Sequence, residues 1–254
     1  MTTSQIDKLG DRLKSGKASE ADLRMLAEYR TTFSEPFARL VSKIESIVGS
    51  TPTAREAKTT GSIVAKLQRE RTRLSRMQDI AGCRLIIADI AAQDDVCAKM
   101  TAAFTVIRVI DRRGEPKNGY RAVHLLVQSE NRTFEIQIRT ELQQLWAEFS
   151  EKIADEIDRG VKYGAGPDWV QSQLMELSTL VDQVEEFERD VLEAANDADP
   201  NSRANEDYRK RIENIRQSGQ SLRRKLRDIF TERYQLIMDE WDRRKKEGHN
   251  AILD

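Results

Sequence analysis

Apolar and polar residues alternate along the chain with two different periods. One period predicts helices and the other predicts strands. The segment 33–48 carries apolar residues three and four positions apart, which is the spacing of one helix face. The segments 83–88 and 104–111 are short and either apolar throughout or alternating with a period of two, as in strands. The stretch 90–103 predicts a crossover helix, and two further strands follow at 122–128 and 132–139.

The rest of the chain shows helical spacing. Residues 5–30 predict polar helical structure, and the loop 59–62 carries a capping signature ahead of a helix at 62–74. An amphipathic helix is predicted at 142–157. Apolar stripes with heptad-like spacing follow over 168–193 and 203–246.

This order of elements predicts an α/β (α+β) protein. We expect a mixed, mainly antiparallel β-sheet of about five strands flanked by helices, with added N- and C-terminal helices. Breaks rich in glycine and proline near residues 49–52 and 164–167 divide the chain into N-terminal helices (1–50), a central domain (51–165) and a C-terminal helical extension (166–254).

Composition narrows the class of protein. With 39% hydrophobic and 33% charged residues, and no apolar run near ~20 residues, we expect a soluble protein with no membrane span. The N-terminus has no apolar signal core, and the two cysteines, Cys83 and Cys97, predict reduced thiols in a cytoplasmic setting. Basic residues outnumber acidic ones over 55–84, which indicates anion binding there or a solvated helix face.

Two acidic residues are candidates for metal binding. Asp79 stands just before a predicted strand and Glu135 lies within one. If those two strands are neighbours, the two carboxylates converge. Such a pair with open positions suits Mg²⁺. Zinc is disfavoured, because the chain has two histidines and no Cys/His cluster. Glu135, Gln137 and Arg139 form a polar strand face, which is either a site or solvent-exposed surface.

Basic and aromatic residues add a second set of candidates. Arg55, Lys58 and Lys66 flank a predicted helix N-terminus, where free N–H groups suit phosphate, although surface lysines are the common alternative. Tyr120 follows an Asn-Gly pair in a loop and is placed to stack on a nucleobase. His124 lies on the next strand and is either a structural histidine or part of the same site.

Four segments in this order resemble the synthetase domain of the RelA/SpoT family, the alarmone synthetases. They are KTTGSIVAKL, DIAGCR, NGYRAVH, and EIQIRT followed by LWAE, and they span about residues 50–165. The resemblance implies a nucleotidyltransferase-like fold and a pyrophosphokinase. Such an enzyme transfers the β,γ-pyrophosphate of ATP to the 3′-hydroxyl of GDP or GTP, makes (p)ppGpp and releases AMP.

The resemblance also implies roles for individual residues. Asp79 and Glu135 would hold Mg²⁺, with Mn²⁺ as an alternative, and Glu135 is the candidate base for the 3′-hydroxyl. The ATP-binding set would be Lys58, Ser62, Lys66, Arg84 and Arg55. The acceptor-binding set would be Tyr120, His124, Gln137, Arg139, Arg121 and Lys117.

The chain departs from the family pattern in ways that leave the acceptor open. Arg55 stands one place earlier than the usual arginine, and the acceptor loop is basic. The segment KYGAG resembles the toxic small synthetases found beside antitoxin genes, some of which pyrophosphorylate the 3′-CCA end of tRNA or make adenosine alarmones. For that alternative, Arg112 and Arg113 are the candidate tRNA contacts.

Other expectations concern what accompanies synthesis. No His-Asp metal motif of the family's hydrolase half is present, so we expect synthesis alone. The C-terminal stripes leave three roles open: covering the sheet, forming a homo-oligomer, or docking an antitoxin. A non-catalytic module that binds nucleotide or RNA is the alternative from another functional class.

Overall fold

The computed structural model of this protein describes residues 1–70, 72–199 and 205–250, with side chains described up to residue 247. Internal contacts divide the chain into two compact units. Unit 1 comprises Met1–Ile86, Asp94–Ile110 and Val123–Ile138. Unit 2 comprises Ile87–Gln93, Asp111–Ala122 and the described part of the chain from Arg139 onward.

Unit 1 is built on a five-stranded sheet. The strands are β1 (Thr53–Arg55), β2 (Gly82–Ile87), β3 (Thr105–Asp111), β4 (Val123–Ser129) and β5 (Arg132–Thr140). Their order across the sheet is β1-β2-β5-β4-β3, and both β1/β2 and β4/β5 pair antiparallel. The predicted fold class is therefore confirmed.

Helices pack on the apolar face of this sheet. Unit 1 contains α1 (Thr3–Lys14), α2 (Glu20–Thr31), α3 (Ser34–Val48), α4 (Thr60–Glu70) and most of α5 (Ile90–Ala103). Phe134, Ile136 and Ile138 are fully buried because every second residue of β5 points to this face. The predicted stripe of α3 supplies the partner, with the Phe37 ring stacked 5.7 Å from that of Phe134.

Two details of unit 1 differ from the sequence prediction. The helix predicted over 62–74 begins earlier, at Thr60, and ends at Glu70, and a separate short 3-10 helix covers Leu74–Arg76. Strand β1 has three exposed residues without apolar alternation, so no periodic signal marked it. It forms by pairing with β2, with Arg55 opposite Gly82.

Unit 2 is mainly helical. Its elements are α6 (Glu141–Glu156), a 3-10 helix (Arg159–Tyr163), α7 (Asp168–Asp197) and α8 (Glu206–Asn250). The heptad-like stripe of α7 is buried at Val170, Leu174, Leu177 and Val181, in one apolar cluster with residues of α6 and α8. The stripe of α7 is thus buried within unit 2.

The described part of the chain contains no helix with both the length and the hydropathy of a membrane span.

Candidate active site

Asp79 lies at the centre of a charged cluster in unit 1. Its Oδ2 is ion-paired with the Nζ of Lys58 and lies 2.9 Å from the Nζ of Lys66. Backbone structure places both lysines. The N–H of Lys58 donates to the Ile80 carbonyl at 2.7 Å, and Thr59 caps α4, on which Lys66 lies. Two cations thus converge on one nearly buried carboxylate.

The charge state of Asp79 follows from this environment. Burial raises the pKa of the carboxyl group, but the hydrogen bond and charge of Lys58, together with Lys66, outweigh burial and bring the pKa below its usual value. The Oδ1 atom is buried and has no hydrogen-bond partner among the described residues. Asp79 is therefore an ionised carboxylate with one buried oxygen, hereafter the open oxygen, that lacks a hydrogen-bond partner.

Glu135 is a second acidic group, half-buried on β5. Its Oε1 lies 2.8 Å from the Nδ1 of His124, and its Oε2 accepts a hydrogen bond from Gln137 at 2.9 Å. Burial raises the pKa of Glu135, but the hydrogen bonds from His124 and Gln137 outweigh it, so the pKa lies below its usual value. Glu135 is thus ionised at neutral pH, and Nδ1 of His124 is the donor.

Gly82 lets the chain around Asp79 approach Glu135. A Cβ at position 82 would stand 2.5 Å from the Glu135 carbonyl oxygen, which leaves no room for any side chain. The Ala81 carbonyl accepts from the Glu135 N–H at 3.5 Å. The negative charge of Asp79 also reaches Glu135 and raises its pKa. The glycine of the DIAGCR segment therefore allows the backbone next to Asp79 to approach the backbone of Glu135.

These acidic residues fit a hard divalent cation. Both are ionised, and the open Oδ1 of Asp79 is a buried oxygen that a cation would satisfy. No group of three or more His, Cys, Asp or Glu side chains converges within the described ranges. A cation held here would take its other ligands from phosphate and water, as Mg²⁺ commonly does.

Tyr120 and Arg139 form a separate cluster in unit 2. The Nη2 of Arg139 donates to the Tyr120 hydroxyl at 2.9 Å, and its guanidinium lies 4.9 Å from the centre of the tyrosine ring. The Nη1 of Arg139 donates to Gln144 at 2.9 Å. Arg139 is buried, so these contacts fix the orientation of the half-buried Tyr120.

A tight turn presents Tyr120. Asn118 and Gly119 both have positive φ, at 53° and 83°, and the Tyr120 N–H closes the turn on the Lys117 carbonyl at 3.0 Å. A Cβ at Gly119 would stand 2.6 Å from the ring of Trp146. The NGY sequence is therefore what allows the loop to pack closely against α6.

The other residues of the predicted ATP-binding set lie near Asp79 or on adjoining elements of unit 1. The guanidinium of Arg55 donates to the backbone carbonyl of Asp79 at 3.2 Å. Ser62 lies exposed in the first turn of α4, and its hydroxyl accepts from that of Thr59 at 2.9 Å. Arg84 is half-buried on β2, on the opposite face from Cys83 and Leu85.

The basic loop residues have different surroundings. Arg113 is ion-paired with Asp111 at 2.6 Å, Arg112 is half-buried and Lys117 is exposed. Arg121 is buried and bound to α7. Sequence reasoning did not single out Gln144 or the residues of α7 that bind Arg121. Gln144 could have been found, because its segment LQQLWAE lies just after EIQIRT. The α7 residues could not, because they lie more than fifty positions from Arg121.

Sequence comparison agrees with the motifs. Residues 55–155 match the family model described as a region found in RelA / SpoT proteins. Uncharacterized proteins of Mycobacterium tuberculosis and Mycobacterium bovis are each 33% identical to the chain over 189 residues, which is 69% of this chain and 69% of each relative.

Structural comparison finds the same fold. Small alarmone synthetase 1 from Bacillus subtilis, solved with its product pppGpp, superposes with a TM-score of 0.58 at 23% identity over 68% of this chain and 99% of that one. A GTP pyrophosphokinase family protein from Streptococcus pneumoniae gives 0.55 at 22% identity over 69% and 98%. With its four motifs in place, this chain belongs to the RelA/SpoT family.

Proposed function

We propose that this protein is an ATP-dependent pyrophosphokinase. It transfers the β,γ-pyrophosphoryl group of ATP to the 3′-hydroxyl of GDP or GTP, forming (p)ppGpp and AMP. The observation that carries the proposal is the Asp79 cluster, in which a buried carboxylate with one open oxygen is held by two lysines. The fold of a protein solved with pppGpp supports the same chemistry.

The ATP side of the proposed site contains cationic side chains that suit a triphosphate. Lys58 and Lys66 are held in place by Asp79 and carry charge that a phosphate chain would attract. Arg55, Ser62 and Arg84 complete this side of the proposed site. Their function is to align the β-phosphorus and to neutralise the charge of the departing AMP.

Asp79 and Glu135 are the residues that would hold Mg²⁺, with Mn²⁺ as the alternative. When bound, the cation supplies charge neutralisation on the phosphate oxygens. Lys58 and Lys66 would contact the phosphate oxygens of ATP as well as Asp79. ATP binding is therefore coupled to the charge of Asp79.

On the acceptor side, Glu135 receives the proton of the 3′-hydroxyl. The 3′-oxygen forms a bond to the β-phosphorus, the bond from that phosphorus to the α,β-bridging oxygen breaks, and AMP leaves with the electron pair. A carboxylate of lowered pKa is a weak base, but phosphoryl transfer with a loose transition state places a small demand on base strength. His124 and Gln137 keep Glu135 ionised and oriented.

Acceptor recognition is assigned to Tyr120 with Arg139 behind it. A tyrosine ring stacked on a base contributes ~1–3 kcal/mol, provided that the ring is held in place. Arg139 holds the ring through its hydroxyl and its face. His124, Gln137 and Lys117 are assigned to the rest of the acceptor nucleotide.

The test is a transfer assay with γ-³²P-labelled ATP and Mg²⁺, in which GDP, GTP, ATP and bulk tRNA are offered in separate reactions. We expect label on GDP and GTP. Label on tRNA alone would replace this proposal with that of a translation-blocking toxin, for which Arg112 and Arg113 are the candidate contacts. Binding of ATP without transfer to any acceptor would favour the non-catalytic module.

A further inference from the structure

Tyr120 and Arg139, the proposed acceptor-recognition pair, are each followed by a residue that contacts α7. Tyr120 is followed directly by Arg121, and Arg139 is followed directly by Thr140. Both following residues are buried, and both are bound by side chains of α7. One helix of the C-terminal extension therefore binds the side chain that follows each member of the pair, all within unit 2.

The first anchor is Arg121. Its Nε donates to the Ser178 hydroxyl at 3.0 Å, and its Nη1 lies 2.8 Å from Oδ1 of Asp182. Nη1 also donates to the backbone carbonyl of Arg113, at the far end of the loop. Only 7% of Arg121 is exposed, so its guanidinium is used inside the protein to close the Arg113–Arg121 loop onto α7.

The second anchor is Thr140, the residue that caps α6. Its hydroxyl donates to Oε1 of Glu185, and Gln143, its partner in the capping box, donates to Oε2 at 3.0 Å. Gln93 of α5 extends this network, donating to Gln143 at 3.0 Å. Every one of these side chains is buried. Glu185 therefore fixes the junction at which β5 ends and α6 begins.

The anchoring residues of α7 form one face of the helix. Ser178, Asp182 and Glu185 are spaced by four and then three residues, so they lie along one stripe, hereafter the polar face of α7. Buried polar groups do not add stability over an apolar packing of equal volume, but a fully bonded set fixes one geometry. Such a face is suited to fixing positions in its neighbours.

We propose that the polar face of α7 is a positioning surface, which holds Tyr120 and Arg139 at the separation needed to bind the acceptor nucleotide. This inference rests on the proposed function, because it takes Tyr120 and Arg139 as the acceptor-binding pair. Ser178, Asp182, Glu185 and Arg121 are then positioning residues, which act through the pair and do not touch the substrate.

The test compares Asp182→Asn and Glu185→Gln with Asp190→Asn, a charge-matched control at an exposed position of the same helix. Equilibrium dialysis with labelled GDP and with the ATP analogue AMPCPP gives two dissociation constants for each protein. Hydrogen exchange of peptides covering 112–121 and 139–146 reports the anchors directly. We expect GDP binding to weaken about tenfold in each test variant while AMPCPP binding changes less than about twofold.

Exchange should be faster in the 112–121 peptide for Asp182→Asn and in the 139–146 peptide for Glu185→Gln, and unchanged in the control. General destabilisation would weaken both ligands together, which would overturn the proposal. Unchanged GDP binding with faster exchange would also overturn it, since the anchors would then be purely structural. Because binding and exchange require no turnover, an enzyme inactive in the transfer assay would refute the proposed function while these two readouts still decide the role of α7.

Discussion

His124 and Glu135 lie on neighbouring antiparallel strands, two residues out of register, with Nδ1 of the histidine 2.8 Å from Oε1 of the glutamate. The hydrogen bond lowers the pKa of a carboxyl group that burial would otherwise raise. In the proposed reaction, this relationship determines the pH below which Glu135 is protonated and can no longer accept a proton or hold a cation.

Removing the histidine should shift the acidic limb of the pH–rate profile. In His124→Ala, burial of Glu135 is no longer opposed by the His124 hydrogen bond, so its pKa rises and activity is lost at a higher pH than in the wild type. The measurement is kcat/KM from about pH 3 to 8, because a Glu135 pKa below its usual value of about 4.3 puts the wild-type limb below pH 5. Gln128→Ala, on the exposed surface of β4, is the control. An acidic limb that stays in place would show that His124 does not tune Glu135.

Replacing the carboxylate of Glu135 itself should abolish transfer while leaving the fold intact. Glu135→Gln keeps the shape and an oxygen that accepts from His124, but it removes the charge, so we expect kcat to fall by about a thousandfold or more. Radiolabel transfer measures the loss, and circular dichroism checks the fold. Glu130→Gln, at the exposed β4–β5 turn, is the matched control. Retention of wild-type kcat in Glu135→Gln would remove Glu135 from the reaction.

Lys66 should contribute to ATP binding in particular. Lys66→Met keeps the length of the side chain but removes a cation from the Asp79 cluster, and we expect the KM for ATP to rise about tenfold with the acceptor KM little changed. Lys99→Met is the control, since Lys99 is an exposed partner of Asp95 on α5. Equal effects on the two substrates would indicate a structural role for Lys66.

The ion pair of Arg12 and Asp22 should make the stability of unit 1 depend on pH. Hydrogen bonds from Arg12 and from Ser19 hold the pKa of Asp22 well below its usual value. The stabilisation is therefore present above the unfolded-state pKa of about 4 and is lost as pH falls through the folded-state value. In urea unfolding, Asp22→Asn should lower the free energy of unfolding more at pH 7 than at pH 3. Glu20→Gln should show no such difference, and an equal loss at both pH values in Asp22→Asn would refute the assignment.

The two thiols should differ sharply in reactivity. Burial raises the pKa of the Cys83 thiol to about 12, whereas Cys97 is only half-buried on α5. With Ellman's reagent at pH 8, the native protein should show one reactive thiol, and Cys83 should react at least about a hundredfold more slowly until the protein is unfolded. A Cys97→Ser variant that still reacts rapidly would contradict this burial.

The sequence predicted those parts of the site whose signals are local. Alternation along β5 placed Glu135 and Gln137 on the face opposite Phe134 and Ile136, as found. The Asn-Gly pair before Tyr120 indicated a turn, and the turn has the positive φ values such a pair allows. These features depend on a few consecutive residues.

The features that were missed depend on pairing between distant parts of the chain. Arg121 looked like one more cation of a basic loop, because its partners Ser178 and Asp182 lie over fifty positions away. Glu185 lies in a segment with heptad-like spacing, where a charged residue is normally taken for solvent-exposed surface. It is nevertheless only 3% exposed. Strand β1 is three residues long and is defined by its antiparallel pairing with β2. Periodicity carries no information on such contacts.

Transfer of an intact pyrophosphoryl group determines which adenine nucleotide is released, because ATP that loses its β- and γ-phosphates together becomes AMP. Purified protein is incubated with Mg²⁺, α-³²P-labelled ATP and GDP, and the labelled adenine nucleotides are separated and counted against the new guanine nucleotide. We expect one AMP for each acceptor that gains two phosphates, and neither product with Glu135→Gln. Formation of ADP in place of AMP, or of AMP without a matching pyrophosphorylated acceptor, would rule out transfer of an intact pyrophosphoryl group.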